Sequence, residues 1–344
     1  MFVRAVALLL AVTLMACSGP ERIDFVPTDS ANTTTREIFV ATTRQADGPT
    51  DFSAKRTSRL NYARYDISIP PIHVEGKIEW PGRNPNPATD FVTKNVTPYD
   101  SALTFGRALN ANAARNTDTA IIYVHGYNTS FAEGTYRLAQ ISHDMQDRNT
   151  VIHYSWPATE NSLEYIRDRD SILFARDGLE SLIKTVADQG FGNIVIVAHS
   201  VGSSLVTETL RQISLQSKSR LSHRIGGVIL IAPDIDTDLF ETQISRIDPM
   251  PNPFVVFGSA EDPALRLSAF LSGRANRVGQ LKDTETLRRY GVQFVDVTDV
   301  KDGESGHSVA ITSPTILSIL RELPDPNRTN DVTVLQKRID DVSR

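Results

Sequence analysis

The sequence has one cysteine among its 344 residues, which excludes an internal disulfide framework. It has no apolar run of membrane-spanning length beyond the N-terminal segment. No block of one charge occurs either: 36 basic and 41 acidic residues are interspersed, and the net charge of −5 argues against nucleic acid as a partner. P-loop, dinucleotide-binding and zinc-protease motifs are missing, and the histidines show no metal-ligand spacing. We therefore predict no metal and no cofactor.

The N-terminus has the features of a targeting segment. Arg4 supplies a positive charge before an apolar stretch from Ala5 to Met15, so residues 1–16 are predicted to be a signal peptide. The run Leu14-Met-Ala-Cys17 resembles the bacterial lipobox, in which the cysteine is lipidated and becomes the mature N-terminus. The alternative is an ordinary secretory signal. Lipidation of Cys17 would anchor the protein to a membrane of the cell envelope, on the periplasmic side.

The rest of the chain divides into three parts. Residues 17–35 are rich in Ser, Thr, Asn and Pro and are predicted to be a flexible tether. Residues 36–323 form the predicted domain, and residues 324–344 a loosely held polar tail.

Strand-length apolar stretches recur along the predicted domain. They are Glu37–Thr42, Tyr65–Ile69, Ala120–Val124, Val151–Ser155, Ile194–Val197, Gly227–Ile231, Phe254–Phe257 and Val292–Val297.

Amphipathic stretches of helix length alternate with the later strands. The predicted helices are Ser101–Ala114, Phe131–Met145 and Leu163–Val186. The third is predicted to place one apolar stripe along its length, formed by Ile166, Leu173, Leu179, Leu182, Ile183 and Val186. This alternation predicts an α/β fold with a mostly parallel sheet of about eight strands, covered by helices on both faces. The first two strands have no helix between them and are expected to pair antiparallel.

The segment Asn193–Gly202 carries the strongest functional signal. Its β-branched run is typical of a buried strand, and it leads through His199-Ser-Val-Gly202 into a helical pattern. A serine at the tight turn between strand and helix is the context of a nucleophile elbow. The small residues Ala198 and Gly202 let strand and helix approach closely. We predict that Ser200 is a catalytic nucleophile.

A serine nucleophile needs a base, usually histidine, and a carboxylate that orients the base. In hydrolases built on this kind of sheet the chain order is serine, acid, histidine. Two histidines follow Ser200. His223 precedes a strand and should lie at the wrong end of the sheet, whereas His307 follows the last strand and is the predicted base.

Two carboxylates could be the acid. Asp262 follows a strand, and Pro263 keeps it out of helical geometry, although a helix N-cap is its alternative role. Asp234 follows the preceding strand and is the second choice. Both lie at the carboxyl edge of the predicted sheet, so the choice between them stays open.

Ester hydrolysis also needs donors for the developing oxyanion. The backbone N–H of Val201 follows the nucleophile directly, and Val124-His-Gly-Tyr-Asn128 has the form of the loop that supplies a second donor, which would be the N–H of Tyr127. His125 and His199 are then neighbours of the site and not bases.

Nine short motifs resemble the alpha/beta-hydrolase superfamily, and in particular its bacterial esterase/lipase-like family of unknown function. They are Ala41–Arg44, His125–Asn128, Ser155–Pro157, Tyr165–Asp168, Ala198–Gly202, Ala232–Asp236, Asp262–Leu265, Arg277–Gly279 and Gly306–Ser308. The resemblance implies Ser200 as nucleophile, Asp262 as acid and His307 as base. It names no substrate.

The predicted function is a membrane-anchored serine hydrolase that cleaves a small carboxylic ester without a cofactor. Two alternatives remain. The fold could serve as a non-catalytic envelope lipoprotein that binds a partner, or the same three residues could transfer an acyl group to an acceptor other than water.

Overall fold

The computed structural model describes most of the chain. The described residues are 22–27, 32–113, 117–146, 148–159, 164–216, 221–273, 276–281, 284–304, 306–322 and 332–342. The predicted signal peptide and Cys17 lie outside them.

Nine strands form one sheet, one more than the sequence predicts, and the prediction of a mostly parallel α/β fold is confirmed. The strands are β1 (Thr34–Ala46), β2 (Phe52–Ile69), β3 (Val92–Tyr99), β4 (Thr119–Val124), β5 (Thr150–Ser155), β6 (Asn193–His199), β7 (Ile225–Ile231), β8 (Phe254–Gly258) and β9 (Val292–Asp296). Their order is β3-β2-β1-β5-β4-β6-β7-β8-β9. As expected, β1 and β2 pair antiparallel, and β3 joins β2 in the same way.

Ten α-helices occur within the described residues. They are α1 (Ala102–Ala113), α2 (Phe131–Asp144), α3 (Tyr165–Ala187), α4 (Gly202–Leu215), α5 (Thr237–Ile244), α6 (Pro263–Leu271), α7 (Glu285–Arg289), α8 (Val309–Thr312), α9 (Pro314–Glu322) and α10 (Val332–Val342). In the same part of the chain, none of them combines the length and the apolar character that crossing a membrane requires.

The helices cover both faces of the sheet and create separate apolar cores. One face packs α1, α3, α4 and α5 against alternate residues of the central strands. The other face carries α2 over β1, β2 and β4, and α8 to α10 over β7, β8 and β9. Because the central strands are buried on both faces, nearly all of their side chains are apolar.

The predicted apolar stripe of α3 is wrong at its N-terminal end. Ile166 and Leu173 are 81% and 55% exposed. Counting back from Leu179 in steps of four and three residues reaches Ala175 and Ile172, which are the buried positions. Ile166 and Leu173 lie on the neighbouring, solvent-facing side of the helix.

Parts of the predicted tether and of the predicted tail contact the sheet where the structure describes them. Near the N-terminus, Asp24 and Val26 exchange backbone hydrogen bonds of 2.9 Å with Thr93 in the edge strand β3. Near the C-terminus, α10 buries Leu335 and Ile339, and its Gln336 side chain bonds both the N–H and the C=O of Asp296 at the opposite edge. Edge strands present unpaired backbone groups, and these segments satisfy some of them.

Candidate active site

The sheet order creates a crevice between the carboxyl ends of β4 and β6. From β4 the chain passes through α2 to β5 on one side, and from β6 it passes through α4 to β7 on the other. The loops that leave the two strands therefore diverge, which is the usual place for a ligand in an open α/β sheet. The predicted nucleophile and the predicted oxyanion loop border this crevice.

Ser200 occupies the turn between β6 and α4 in a left-handed conformation, with φ of 53°. Such a conformation costs a non-glycine residue roughly 1–2 kcal/mol and requires support from its surroundings. The support is backbone pairing: Ser200 N–H donates to the carbonyl of Ile231 at 2.9 Å, and its carbonyl accepts from the N–H of Asp234 at 3.3 Å. The elbow is thus tied to the end of β7.

Gly202 allows α4 to pass directly beneath the loop after β4. A Cβ at this position would lie 2.3 Å from the carbonyl oxygen of His125 and 2.9 Å from that of Val124. Both neighbours are backbone atoms at the end of a central strand and cannot move independently. The close approach inferred from the small residue therefore exists in the structure.

Replacing Gly202 by alanine is expected to destabilise the protein by about 1–3 kcal/mol, because the elbow must move away from β4. Any activity that depends on Ser200 should fall with it, since Ser200 is two residues away. Gly82→Ala is the matched control, because a Cβ there meets nothing within 4 Å. Urea denaturation of both variants measures the difference, and equal stability of the two would contradict the close packing.

The predicted oxyanion loop lies against the elbow. A Cβ on Gly126 would come within 2.9 Å of Nδ1 of His199 and 3.0 Å of Cβ of Ser200. The next residue is Tyr127, and Asn128 then adopts a φ of 51°. The backbone that carries the Tyr127 N–H therefore runs beside the serine, as does the Val201 N–H at the start of α4.

Asp262 and His307 meet at the same edge of the sheet. His307 Nδ1 donates to Asp262 Oδ2 at 2.7 Å, and the Asp262 side chain is completely buried. The other carboxylate oxygen, Oδ1, accepts the N–H groups of Ala264 at 2.9 Å and Leu265 at 3.2 Å. One carboxylate thus serves as both helix N-cap and histidine partner.

These contacts keep the Asp262 carboxylate charged. Burial raises its pKa, but the hydrogen bond and positive charge of His307 and the two backbone N–H groups outweigh burial and lower it overall. A charged acceptor at Nδ1 holds the imidazole with Nε2 available to another group. Within the described residues Ser200 Oγ forms no hydrogen bond, and bonds between nucleophile and base commonly tighten only when substrate is present.

Asp234, the second choice for the acid, is engaged elsewhere. Its Oδ1 lies 3.0 Å from Arg277 Nε and accepts from Ser268 Oγ at 2.7 Å, while Oδ2 accepts from Tyr165 OH at 3.0 Å. Both members of the Asp234–Arg277 ion pair are buried. This network links α3, α6 and the loop after β7, and it lies beside the nucleophile without contacting His307.

The other histidines near the serine are unsuited to proton transfer. Burial, together with the charge of Arg44, lowers the pKa of His125 to about 3, and burial together with His307 lowers that of His199 to about 3. His199 Nε2 donates to the carbonyl of His307 at 3.1 Å and so holds the backbone of that residue. His223 is exposed in a short turn just before β7, at the amino edge of the sheet.

Two buried charged residues support the oxyanion loop, and sequence reasoning assigned them no role beyond the family resemblance. Arg44 donates to the carbonyl of Thr129 at 2.8 Å and to Ser155 Oγ at 3.0 Å. Asp168 accepts the N–H of Thr159 at 2.8 Å and bonds the backbone of Asn128. Burial raises the pKa of Asp168 to about 6. Arg and Asp are rarely fully buried unless they are paired. The only sequence signal for these two residues is that they end two motifs of the family resemblance, Ala41–Arg44 and Tyr165–Asp168.

A small cavity of about 20 Å³ adjoins the elbow. Val201 and Ser204 of the elbow, Ile172 of α3 and Leu239 of α5 contribute to its lining, and the Asp234–Arg277 pair forms part of its wall. This volume has room for about one water molecule.

The family model described as "Alpha/beta hydrolase of unknown function" matches residues 104–323, and the chain belongs to this family. It is a hydrolase of the alpha/beta-hydrolase superfamily, as the motifs predicted. The matched region extends from α1 to the end of α9 and contains Ser200, Asp262 and His307.

Individual relatives are distant. Kynurenine formamidase of Saccharomyces cerevisiae is 29% identical over 126 residues, which cover 35% of this chain and 43% of that enzyme, less than half its length. An esterase of Pyrococcus furiosus is 10% identical, with a TM-score of 0.41 over 89% of this chain and 97% of that chain. An esterase from Pyrobaculum calidifontis is 12% identical, with a TM-score of 0.37 over 90% and 84%.

Proposed function

We propose that the protein is a serine hydrolase that cleaves carboxylic esters through an acyl-serine intermediate. The carrying observation is the 2.7 Å bond between His307 and Asp262 at the sheet edge where Ser200 sits in its strained turn. Strained backbone at a buried serine is uncommon outside functional sites.

The proposed reaction uses these groups in order. His307 Nε2 takes the proton of Ser200 Oγ as the oxygen attacks the ester carbonyl, and the N–H groups of Tyr127 and Val201 stabilise the oxyanion. The imidazolium then protonates the leaving alcohol, and Asp262 stabilises its charge. Water hydrolyses the acyl-serine by the same steps, which frees the acid and restores the serine.

The cavity supports a small substrate. The cavity beside the elbow has a volume of only about 20 Å³ and a buried ion pair in its wall. It offers no enclosed channel for a long acyl chain, so we expect short or medium acyl chains. The purified protein should therefore hydrolyse short-chain p-nitrophenyl esters faster than long-chain ones. A preference for long chains would overturn this substrate class.

A second candidate is hydrolysis of an aryl formamide. The sequence match to a kynurenine formamidase favours it, and the same three residues could cleave either bond. An aryl formamide included beside the esters separates the two reactions. Added alcohol or amine acceptors separate hydrolysis from acyl transfer, and a folded protein inactive on all of these would favour the binding role.

We also propose that Cys17 carries a lipid that anchors the protein to a membrane of the bacterial cell envelope. The support is the sequence Leu14-Met-Ala-Cys17 after a charged and apolar start. Fractionation of cells that express the full chain is the test. Cys17→Ser should lose the protein from membranes, and an unchanged distribution would refute the anchor.

A further inference from the structure

A second cluster of polar side chains lies away from Ser200, where the loop between β2 and β3 meets the end of α2. His73 comes from the loop, and His143 and Asp144 are two consecutive residues at the end of the helix. Each offers one potential ligand atom, and these atoms lie within 4.8 Å of one another. The side chains of His73 and Asp144 are 7% and 2% exposed.

His73 has a carboxylate oxygen at each ring nitrogen. Nδ1 lies 2.7 Å from Glu79 Oε2, and Nε2 lies 2.8 Å from Asp144 Oδ1. A neutral imidazole has only one N–H, so it can satisfy only one of these acceptors. A metal ion bound at Nε2 would replace the hydrogen bond to Asp144 and leave the Nδ1–H to donate to Glu79.

His143 points to the metal ion. Its Nδ1 is buried and has no hydrogen-bond partner among the described residues, whereas buried polar atoms are usually paired. The lone pair of this nitrogen is therefore available to a bound ion. The ring of His143 lies 5.2 Å from that of His73. A proton on His73 would leave the His143 nitrogen unused.

We propose that His73, His143 and Asp144 bind one divalent transition-metal ion, with zinc as the best match. Two imidazole nitrogens and a carboxylate oxygen are a common zinc ligand set, with a fourth position left for water. Binding at Nε2 of His73 would displace any proton there and release it to solvent. Ligand atoms of a tetrahedral zinc ion lie about 3.4 Å apart. On binding, Nε2 of His73 and Oδ1 of Asp144 would therefore separate slightly from their 2.8 Å contact, and the widest ligand separation would shrink from its limit of 4.8 Å.

The surrounding groups match the outer sphere of a metal centre. Glu79 accepts from Nδ1 of His73, which is the carboxylate–histidine arrangement that orients metal ligands. The second oxygen of Asp144 accepts from the N–H of Gly76 at 2.7 Å and from Gln140 Nε2 at 2.6 Å. The site could not be predicted from the sequence, because His73 and Asp144 lie 71 residues apart.

A metal ion bound here would hold the loop between β2 and β3 in place, and this loop packs against α8, the helix that follows the proposed base His307. A Cβ on Gly76 would meet the carbonyl of Thr312 in α8, and Gln140 bonds the carbonyl of Ile311 at 3.4 Å. The helix α8 begins two residues after His307. The expected role is therefore structural, and the proposal does not depend on ester hydrolysis.

Calorimetric titration of the chelator-treated protein with Zn²⁺ tests the site. The wild type should bind one zinc ion per chain, melt at a higher temperature with zinc, and give no response to Mg²⁺. Glu79→Gln keeps an oxygen acceptor for His73 and should bind zinc about 10- to 100-fold more weakly. Asp144→Asn and His143→Ala should lose stoichiometric binding.

His223→Ala is the matched control, because His223 is exposed and lies in the turn before β7, outside the cluster, and it should bind zinc as the wild type does. Circular dichroism establishes that each variant is folded. Should Asp144→Asn fail to fold, Glu79→Gln still decides the outcome. The proposal is overturned if the wild type binds no zinc at micromolar concentration, or if Glu79→Gln and His143→Ala bind it as tightly as the wild type.

Discussion

Replacing Ser200 by alanine should lower kcat/KM for a short-chain ester by about four to six orders of magnitude. The reason is that no other group in the proposed site can form the acyl intermediate, so only the oxyanion donors and binding contacts would remain. The fold should persist, because alanine removes one oxygen from a residue held by its backbone bonds to Ile231 and Asp234. Steady-state kinetics measure the change.

Ser203→Ala is the control for this experiment. Ser203 is a fully buried serine in the first turn of α4, three residues after Ser200, and its Oγ donates to the carbonyl of Ala198 at 3.4 Å. The Ser203→Ala variant should lose little activity, and its free energy of unfolding should fall only slightly. Comparable activity in the Ser200 and Ser203 variants would show that the ester is cleaved elsewhere on the protein.

Replacing Asp262 by asparagine should lower kcat by about four orders of magnitude. An amide can place its NH₂ group toward His307 Nδ1 and favour the tautomer with the proton on Nε2, which cannot accept a proton from the serine. It also carries no charge to stabilise the imidazolium. KM should change far less than kcat, because Asp262 is buried behind the imidazole.

Two further variants sharpen this result. Asp51→Asn is a matched control, because this carboxylate also accepts two backbone N–H groups, from Phe52 and Ile23, and lies far along the chain from His307. It should leave kcat unchanged. Asp234→Asn tests the second choice of acid, and a loss confined to that variant, with Asp262→Asn active, would reverse the assignment.

The central part of the fold was predictable because its signals are local. Buried parallel strands appear as β-branched runs, and the predicted helices 101–114 and 131–145 agree with α1 and α2 to within one residue at each end. The strand β3 was missed because its sequence, Val-Thr-Lys-Asn-Val-Thr-Pro-Tyr, has mixed polarity suited to a half-exposed edge strand. The segments that cover the two sheet edges look polar for the same reason.

The sequence predicted which residues form the candidate site, but it did not predict which of their side chains contact one another. The elbow and the chain order of the acid and the base follow from sequence, but the choice between Asp262 and Asp234 depends on which carboxylate contacts His307. That contact spans 45 residues and is a property of the tertiary structure. The roles of Arg44 and Asp168 were hidden likewise, because their partners lie on other elements.

The most direct test of the central claim is mass spectrometry of the protein after reaction with a fluorophosphonate, which traps an activated serine. The account predicts one adduct per chain on the peptide that contains Ser200, much slower adduct formation in Asp262→Asn, and none in Ser200→Ala. A folded protein that forms no adduct, or forms it on another residue, would contradict the account.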